Sequence, residues 1–281
     1  MLTTKTHIPV DAVVVDILRQ VKAVAGEMAA PCFLIGARAI DLLLHNVYGF
    51  NTYRPTMDTD FAVALASWAK FDEFKARLVG TGKFKVSSGK VHQLYYLETV
   101  PIDLVPFGGL EGPRGQILWP PDSSHVMSVA GFDDISAAAQ DVRLGKDSLT
   151  VRVASLPGMV MLKLFAWSDR RQTKDAQDIG VLLHNYEYVL STERLYSDPD
   201  LLKAAGYDMQ LVGSALLGRD LASILGLAAR DALNRMLESG AEREKLVTRL
   251  AAGISWVERD KALAAANNLF DAFLSGLGLR F

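Results

Sequence analysis

Cysteine is almost absent from this sequence. Cys32 is the one cysteine in 281 residues, so no disulfide can form within the chain, and a reducing cytoplasm is the simplest expectation. Its surroundings in "CFLIG" are apolar, which favours a buried, protonated thiol over a nucleophile. Neither sign of charge is in excess: 30 Lys and Arg face 32 Asp and Glu, a formal net charge of −2. Nothing global calls for a nucleic-acid or membrane partner, although a local basic patch stays open. No stretch approaches the roughly 18 uninterrupted apolar residues of a membrane span. The opening "MLTTKTHIPVDAVVVDILRQVKAV" is broken by Asp11, Asp16 and Arg19 and does not read as a signal peptide. Internal repeats and low-complexity segments are missing. The five histidines (His7, His45, His92, His125, His184) show no ligand spacing and read as surface or packing residues.

What is present is ordinary globular material, 50% hydrophobic and 22% charged, enough for a sizeable core in one large domain or two small ones. Val10, Val13, Val14, Ile17, Leu18, Val21 and Val24 have helical spacing, with Asp11 as a start residue. "CFLIG" reads as a buried strand ending in glycine. "ARAIDLLLHNVYG" reads as a helix stopping at Gly49. "DTDFAVAL" alternates like a strand, and "SWAKFDEFKARLVG" is a helix closing at Gly80. "KFKVSS", "HQLYYLE" and "VPIDLVPF" read as a meander. Residues 107–125 are rich in Gly and Pro and predict an irregular loop or two short strands. Strands are expected near 126–132 and 148–153, then helices over 155–171 and 173–190. Beyond about residue 190 Ala and Leu dominate and strand formers are scarce. A mixed α/β region over 1–190 and a helical domain over 191–281 are therefore expected.

The chemistry concentrates at "RPTMDTDF". Asp58 and Asp60 would share a face if extended, because side chains repeat every second residue on a strand. Taken alone, the pair reads better as a solvated strand start than as a metal site. A third carboxylate, Asp103, lies between Ile102 and Leu104 on an apolar strand that can lie beside the first. Three converging carboxylates repel one another unless divalent cations neutralise them, and Mg²⁺ prefers a few carboxylates plus substrate phosphates. Two such ions would activate a hydroxyl and stabilise a leaving pyrophosphate. Gly36 allows a tight turn into the following helix, where the N–H groups of Gly36, Ala37 and Arg38 suit phosphate oxygens. Lys163, between Leu162 and Leu164, either snorkels to solvent or serves the site. Asp175 and Asp178 either favour their helix's N-terminal dipole or belong to the site. Arg219-Asp220 reads as an exposed helix turn with a local ion pair.

"LIGARAIDLLLH" followed by "YRPTMDTDF" resembles the first motif of the AbiEii/AbiGii-type nucleotidyltransferases, within the DNA polymerase β-like superfamily. Arg54, Thr56, Asp58, Asp60 and Phe61 match its Arg-x-Ser/Thr-x-Asp-x-Asp pattern. Lys163, Ala166, Arg170, Lys174, Asp175, Asp178 and Ile179 resemble the later helix pair, and Asp103 its third acid. The likeness covers roughly residues 30–185 in order and spacing. One departure is Gly36-Ala37-Arg38, where the family has a glycine pair and often a small residue next.

The resemblance implies an α/β (α+β) fold, a polymerase β-like mixed sheet flanked by helices, with a helical C-terminal domain. It implies an enzyme that moves a nucleoside monophosphate from an NTP to an acceptor hydroxyl with Mg²⁺, two ions expected. Asp58, Asp60 and Asp103 would hold metal. Lys163 would contact the triphosphate, Asp175 would orient Lys163 or the nucleotide, and Arg54 would steady the start of the strand. A tRNA 3′ end or other RNA is the acceptor, and a cognate antitoxin the partner, that the family suggests. A small-molecule, antibiotic-type nucleotidyltransferase and a catalytically silent nucleotide-binding or interaction module are the alternatives.

Overall fold

The computed structural model describes residues 1–50, 56–112, 114–145, 148–253, 258 and 260–279. The chain divides into two compact units, Met1–Ser155 and Leu156–Phe281. The helices expected over 155–171 and 173–190 fall in the second of these.

The first unit is built on a mixed eight-stranded sheet. Strand β1 (Leu2–Thr3) is followed by helix α1 (Ala12–Glu27), β2 (Cys32–Ile35), α2 (Gly36–Asp41), β3 (Thr59–Ala64) and α3 (Trp68–Gly80). Then come β4 (Phe84–Val86), β5 (Gln93–Tyr96), β6 (Val100–Phe107), the hairpin β7 (Gln116–Trp119) and β8 (His125–Ser128), α4 (Phe132–Ala137), β9 (Gln140–Leu144) and β10 (Leu149–Val153). The order across the sheet is β1-β9-β10-β2-β3-β6-β5-β4, with β7 and β8 paired separately.

Local chemistry explains these boundaries. The Asp11 carboxylate accepts from the amides of Val13 and Val14, which caps α1. Ile17, Leu18, Val21 and Val24 form its buried stripe. Helix α2 runs on as a π-helix over Leu42–Tyr48 and ends at Gly49, in the left-handed conformation. The Ser67 side chain caps α3 through the amide of Lys70. The meander forms as expected, β4, β5 and β6 pairing antiparallel in sequence.

Strand β1 was not expected, and two later stretches also differ from the expectation. The strand near 126–132 stops at Ser128, because Gly131 turns left-handed and α4 begins. Strand β9 was not anticipated. Its inward residues are only Val142 and Leu144, and its pairing with β1 and β10 is fixed by residues far away in sequence.

The second unit is helical: α5 (Leu156–Arg170), α6 (Thr173–Asn185), α7 (Thr192–Leu195), α8 (Pro199–Ala204), α9 (Met209–Ile224), α10 (Leu227–Leu237), α11 (Gly240–Gly253) and α12 (Ala262–Leu277). Helices α9 and α12 pack closely. A methyl group on Gly218 would stand 2.2 Å from the Phe273 carbonyl oxygen, and one on Gly276 1.9 Å from that of Ala215. The Ser214 hydroxyl, fully buried, donates to the Leu269 carbonyl at 2.7 Å. Arg219 and Asp220 do not pair with each other: Arg219 reaches Asp198 and Asp220 meets Arg194, each at 2.7 Å. The two residues tie α9 to the segments before it. No helix among the described residues is long and apolar enough to cross a membrane.

Candidate active site

The sheet order places Asp60 between two neighbours. β3 runs antiparallel to β2 and parallel to β6, and the register sets Ile35 and Asp103 opposite Asp60. Register partners on adjacent strands project to one face. Asp60 and Asp103 therefore stand side by side, both half-buried.

Gly36 completes this corner. Its φ is +74°, and a methyl group there would lie 1.9 Å from Asp60 Oδ2 and 2.8 Å from Asp60 Cγ. Both conformation and space thus require glycine. Ile35, the residue before α2, offers its amides no side-chain cap. The Asp60 carboxylate lies at this helix start, where the dipole favours negative charge.

Asp103 is held from its other side. Gln93, its register partner on β5, is buried and donates from Nε2 to Asp103 Oδ1 at 2.8 Å. Among the described residues this is the only hydrogen bond the Asp103 carboxylate accepts, and it has no ion pair. Beside Gln93, the His92 ring lies 5.1 Å from that of Trp119. Burial lowers the His92 pKa, with Asp103 pulling it upward and Lys90, His125 and Lys75 pushing it down.

Asp58 lies just before β3, not within it, and is half-buried. The period-two rule therefore does not aim it with Asp60. Among the described residues no group of three or more His, Cys, Asp and Glu side chains is gathered closely enough to hold an ion. The donor chemistry still fits a hard divalent cation: two carboxylates sit together, and among the described residues Asp103 has no ion-pair partner. Mg²⁺ is commonly bound by one or two carboxylates with substrate phosphates completing the shell.

Arg38 donates from a guanidinium N–H to the Thr56 carbonyl at 2.6 Å. Its side chain thereby secures the segment that leads into Asp58. Ala37 is half-buried between Gly36 and Arg38. Arg54 lies outside the described residues.

The second unit gathers the later motif. Lys163 on α5 is buried, with its ammonium 2.6 Å from Asp178 Oδ2 and 3.6 Å from Asp175 Oδ1. Arg170 grips Asp175 with two hydrogen bonds, Nε to Oδ2 at 2.7 Å and a second N–H to Oδ1 at 2.6 Å. Burial pushes the Asp175 pKa up, but the Arg170 hydrogen bonds and the charges of Lys163, Arg170 and Lys174 outweigh it and hold the carboxyl below its usual range. Two acids and two bases thus balance on α5 and α6. Cys32 is half-buried, and burial pushes its thiol up to about 12.

Sequence reading missed Gln93. The signal for it was the hairpin register. Tyr96 pairs with Val100 across a three-residue turn, and counting back from that pair sets Gln93 opposite Asp103.

The first unit thus holds a glycine turn beside paired acids on adjacent strands, and the second holds a buried Lys-Asp helix pair. The family model described as "Nucleotidyl transferase AbiEii toxin, Type IV TA system" matches residues 18–206, and the chain belongs to that family. It is accordingly a nucleotidyltransferase, with a nucleotide as substrate. Two solved structures are similar. One is the antibiotic-resistance factor ANT(2'')-Ia, 16% identical over 62% of this chain and 84% of that one, TM-score 0.39. The other is an antigenic nucleotidyltransferase-like protein from Paracoccidioides brasiliensis, 14% identical over 88% of this chain and 95% of that one, TM-score 0.44. No curated protein matches the chain.

Proposed function

We propose that this protein transfers a nucleoside monophosphate from an NTP to an acceptor hydroxyl, with Mg²⁺, and that the acceptor is an RNA 3′ end such as that of tRNA. The observation that carries the reading is Asp60 beside Asp103 in register, with Gly36 pressed against Asp60. Family membership supports a toxin role with a cognate antitoxin. Balanced net charge and reduced cysteine suit the cytoplasm.

In this reading the catalytic region spans residues 1–190, and the helical remainder serves the acceptor or partner. Asp60 and Asp103, with Asp58 from the preceding segment, are the residues that would hold divalent metal. Bound there, metal would supply charge neutralisation for the phosphates and a more acidic acceptor hydroxyl. The backbone amides of Gly36, Ala37 and Arg38 receive phosphate oxygens. The Arg38 side chain steadies the approach to Asp58. Lys163, which the family likeness assigns to the triphosphate, is a point charge held within its own unit by Asp178 and Asp175. A bond forms between the acceptor oxygen and the α-phosphorus, the bond from that phosphorus to the bridging oxygen breaks, and pyrophosphate leaves. The acceptor proton passes to Asp103 or to water. Phosphoryl transfer of this kind depends on positioning and charge stabilisation, which these residues supply.

The test is labelling of total cellular RNA and protein with each of the four α-labelled NTPs and Mg²⁺. Labelled RNA with released pyrophosphate is expected. Label on a small hydroxyl compound in place of RNA would move the acceptor to an antibiotic-type molecule. No label and no NTP binding would leave a silent module.

A further inference from the structure

We infer that Gln93 is a positioning residue for the transfer reaction: its amide fixes Asp103 so that Oδ2 is the oxygen presented to metal and acceptor hydroxyl. The inference rests on the reading of Asp103 given above.

Four observations carry it. Gln93 is 6% exposed, and a buried amide requires partners. It is the register partner of Asp103 on the adjacent strand, so backbone pairing and side-chain contact reinforce one another. The bond is well formed, Nε2 to Oδ1 at 2.8 Å. Finally, the contact is asymmetric: among the described residues Oδ1 is engaged and Oδ2 receives no hydrogen bond.

Chemistry fixes the direction of the bond. An ionised carboxylate only accepts, so the amide must turn its NH₂ group toward Asp103. A free aspartate on a strand samples several rotations about its last torsion, which is broad for a carboxylate. Tethering one oxygen removes that freedom and leaves the other at a set position. Productive transfer geometry is sensitive to displacements of this size, since about 1 Å of misplacement can cost roughly a hundredfold in rate. Gln93 has no need to touch substrate to act this way, and it lies on the flank of Asp103 away from Asp60 and Gly36, because the strand order is β2-β3-β6-β5.

The experiment compares wild type, Gln93→Leu and Gln93→Glu. Leucine keeps the bulk and removes the donor; glutamate replaces a donor with a second negative charge. Three quantities are read: transfer kinetics, Mg²⁺ titrated calorimetrically into protein with a non-hydrolysable NTP, and urea unfolding. Gln93→Leu is expected to lower kcat about tenfold with the KM for NTP within about twofold, and to weaken Mg²⁺ binding several-fold. Gln93→Glu is expected to be worse in kcat and in Mg²⁺ binding. A third variant, Gln93→His, which restores an N–H donor, should recover part of both. Loss of kcat in proportion to unfolded protein alone, with Mg²⁺ binding unchanged, would make Gln93 merely structural and overturn the inference. Wild-type kinetics and Mg²⁺ binding in Gln93→Leu would overturn it too. If Asp103→Asn retains wild-type transfer, it is the assignment of Asp103 that fails, a result distinct from either.

Discussion

Asp60 and Gly36 share one corner of the fold so tightly that a methyl group on Gly36 would stand 1.9 Å from Asp60 Oδ2. The glycine has a positive φ of +74° as well, so both strain and collision oppose any side chain. Gly36→Ala is expected to displace Asp60, reduce transfer at least about a hundredfold and cost about 1–3 kcal/mol of stability. Parallel transfer assays and denaturant melts check this; near-normal activity would mean Asp60 does not need its present position.

Arg38 gives a second prediction. Its bond to the Thr56 carbonyl ties helix α2 to the segment before Asp58. Arg38→Ala should lower kcat roughly tenfold, a modest displacement of the approaching segment, with unfolding nearly unchanged. A rise in activity would identify the arginine as an obstruction to the triphosphate.

The buried quartet of α5 and α6 predicts a stability effect apart from catalysis. Lys163→Met removes the ammonium lying 2.6 Å from Asp178 and leaves buried carboxylate charge under-compensated. A loss of about 3–5 kcal/mol is expected. Adding Asp178→Leu to that background should recover part of it, and a double-mutant cycle measures the coupling. Strictly additive losses would show the two charges to be independent.

Acid stability should depend on Asp16. Burial alone would raise its pKa, but hydrogen bonds from Lys83, Tyr96 and Gln20 and the Lys83 charge lower it from 3.8 to about 2. A depressed folded-state value means the contribution is complete above about pH 4 and is lost as pH falls from about 4 toward 2. Asp16→Asn should cost about 1–2 kcal/mol at pH 7 and flatten the acid limb of a stability profile. An unchanged slope between pH 4 and 2 would contradict the assignment.

Much of this was legible in the sequence because the signals were local. Asp11 opened the helix it preceded, Gly49 ended one, alternation marked the strand of Asp60, and strand-forming residues between turns marked that of Asp103. The family likeness rested on residue order, which sequence records directly. What escaped depended on partners distant in the chain. Strand β9 has two inward apolar residues and exists because β1 and β10 flank it. Gln93 looked like one polar residue on a meander strand until the hairpin register set it opposite Asp103. Asp58 seemed to belong with Asp60 by periodicity, yet the strand starts one residue after it.

Asp60 and Asp103 are proposed to act together as the carboxylate pair of nucleotidyl transfer. The most direct measurement is transfer of α-labelled NTP to cellular RNA by wild type, Asp60→Asn and Asp103→Asn, with folding verified by urea unfolding. Label is expected with wild type, and at least about a thousandfold less with each variant, both remaining folded. Undiminished labelling by either folded variant would contradict that role.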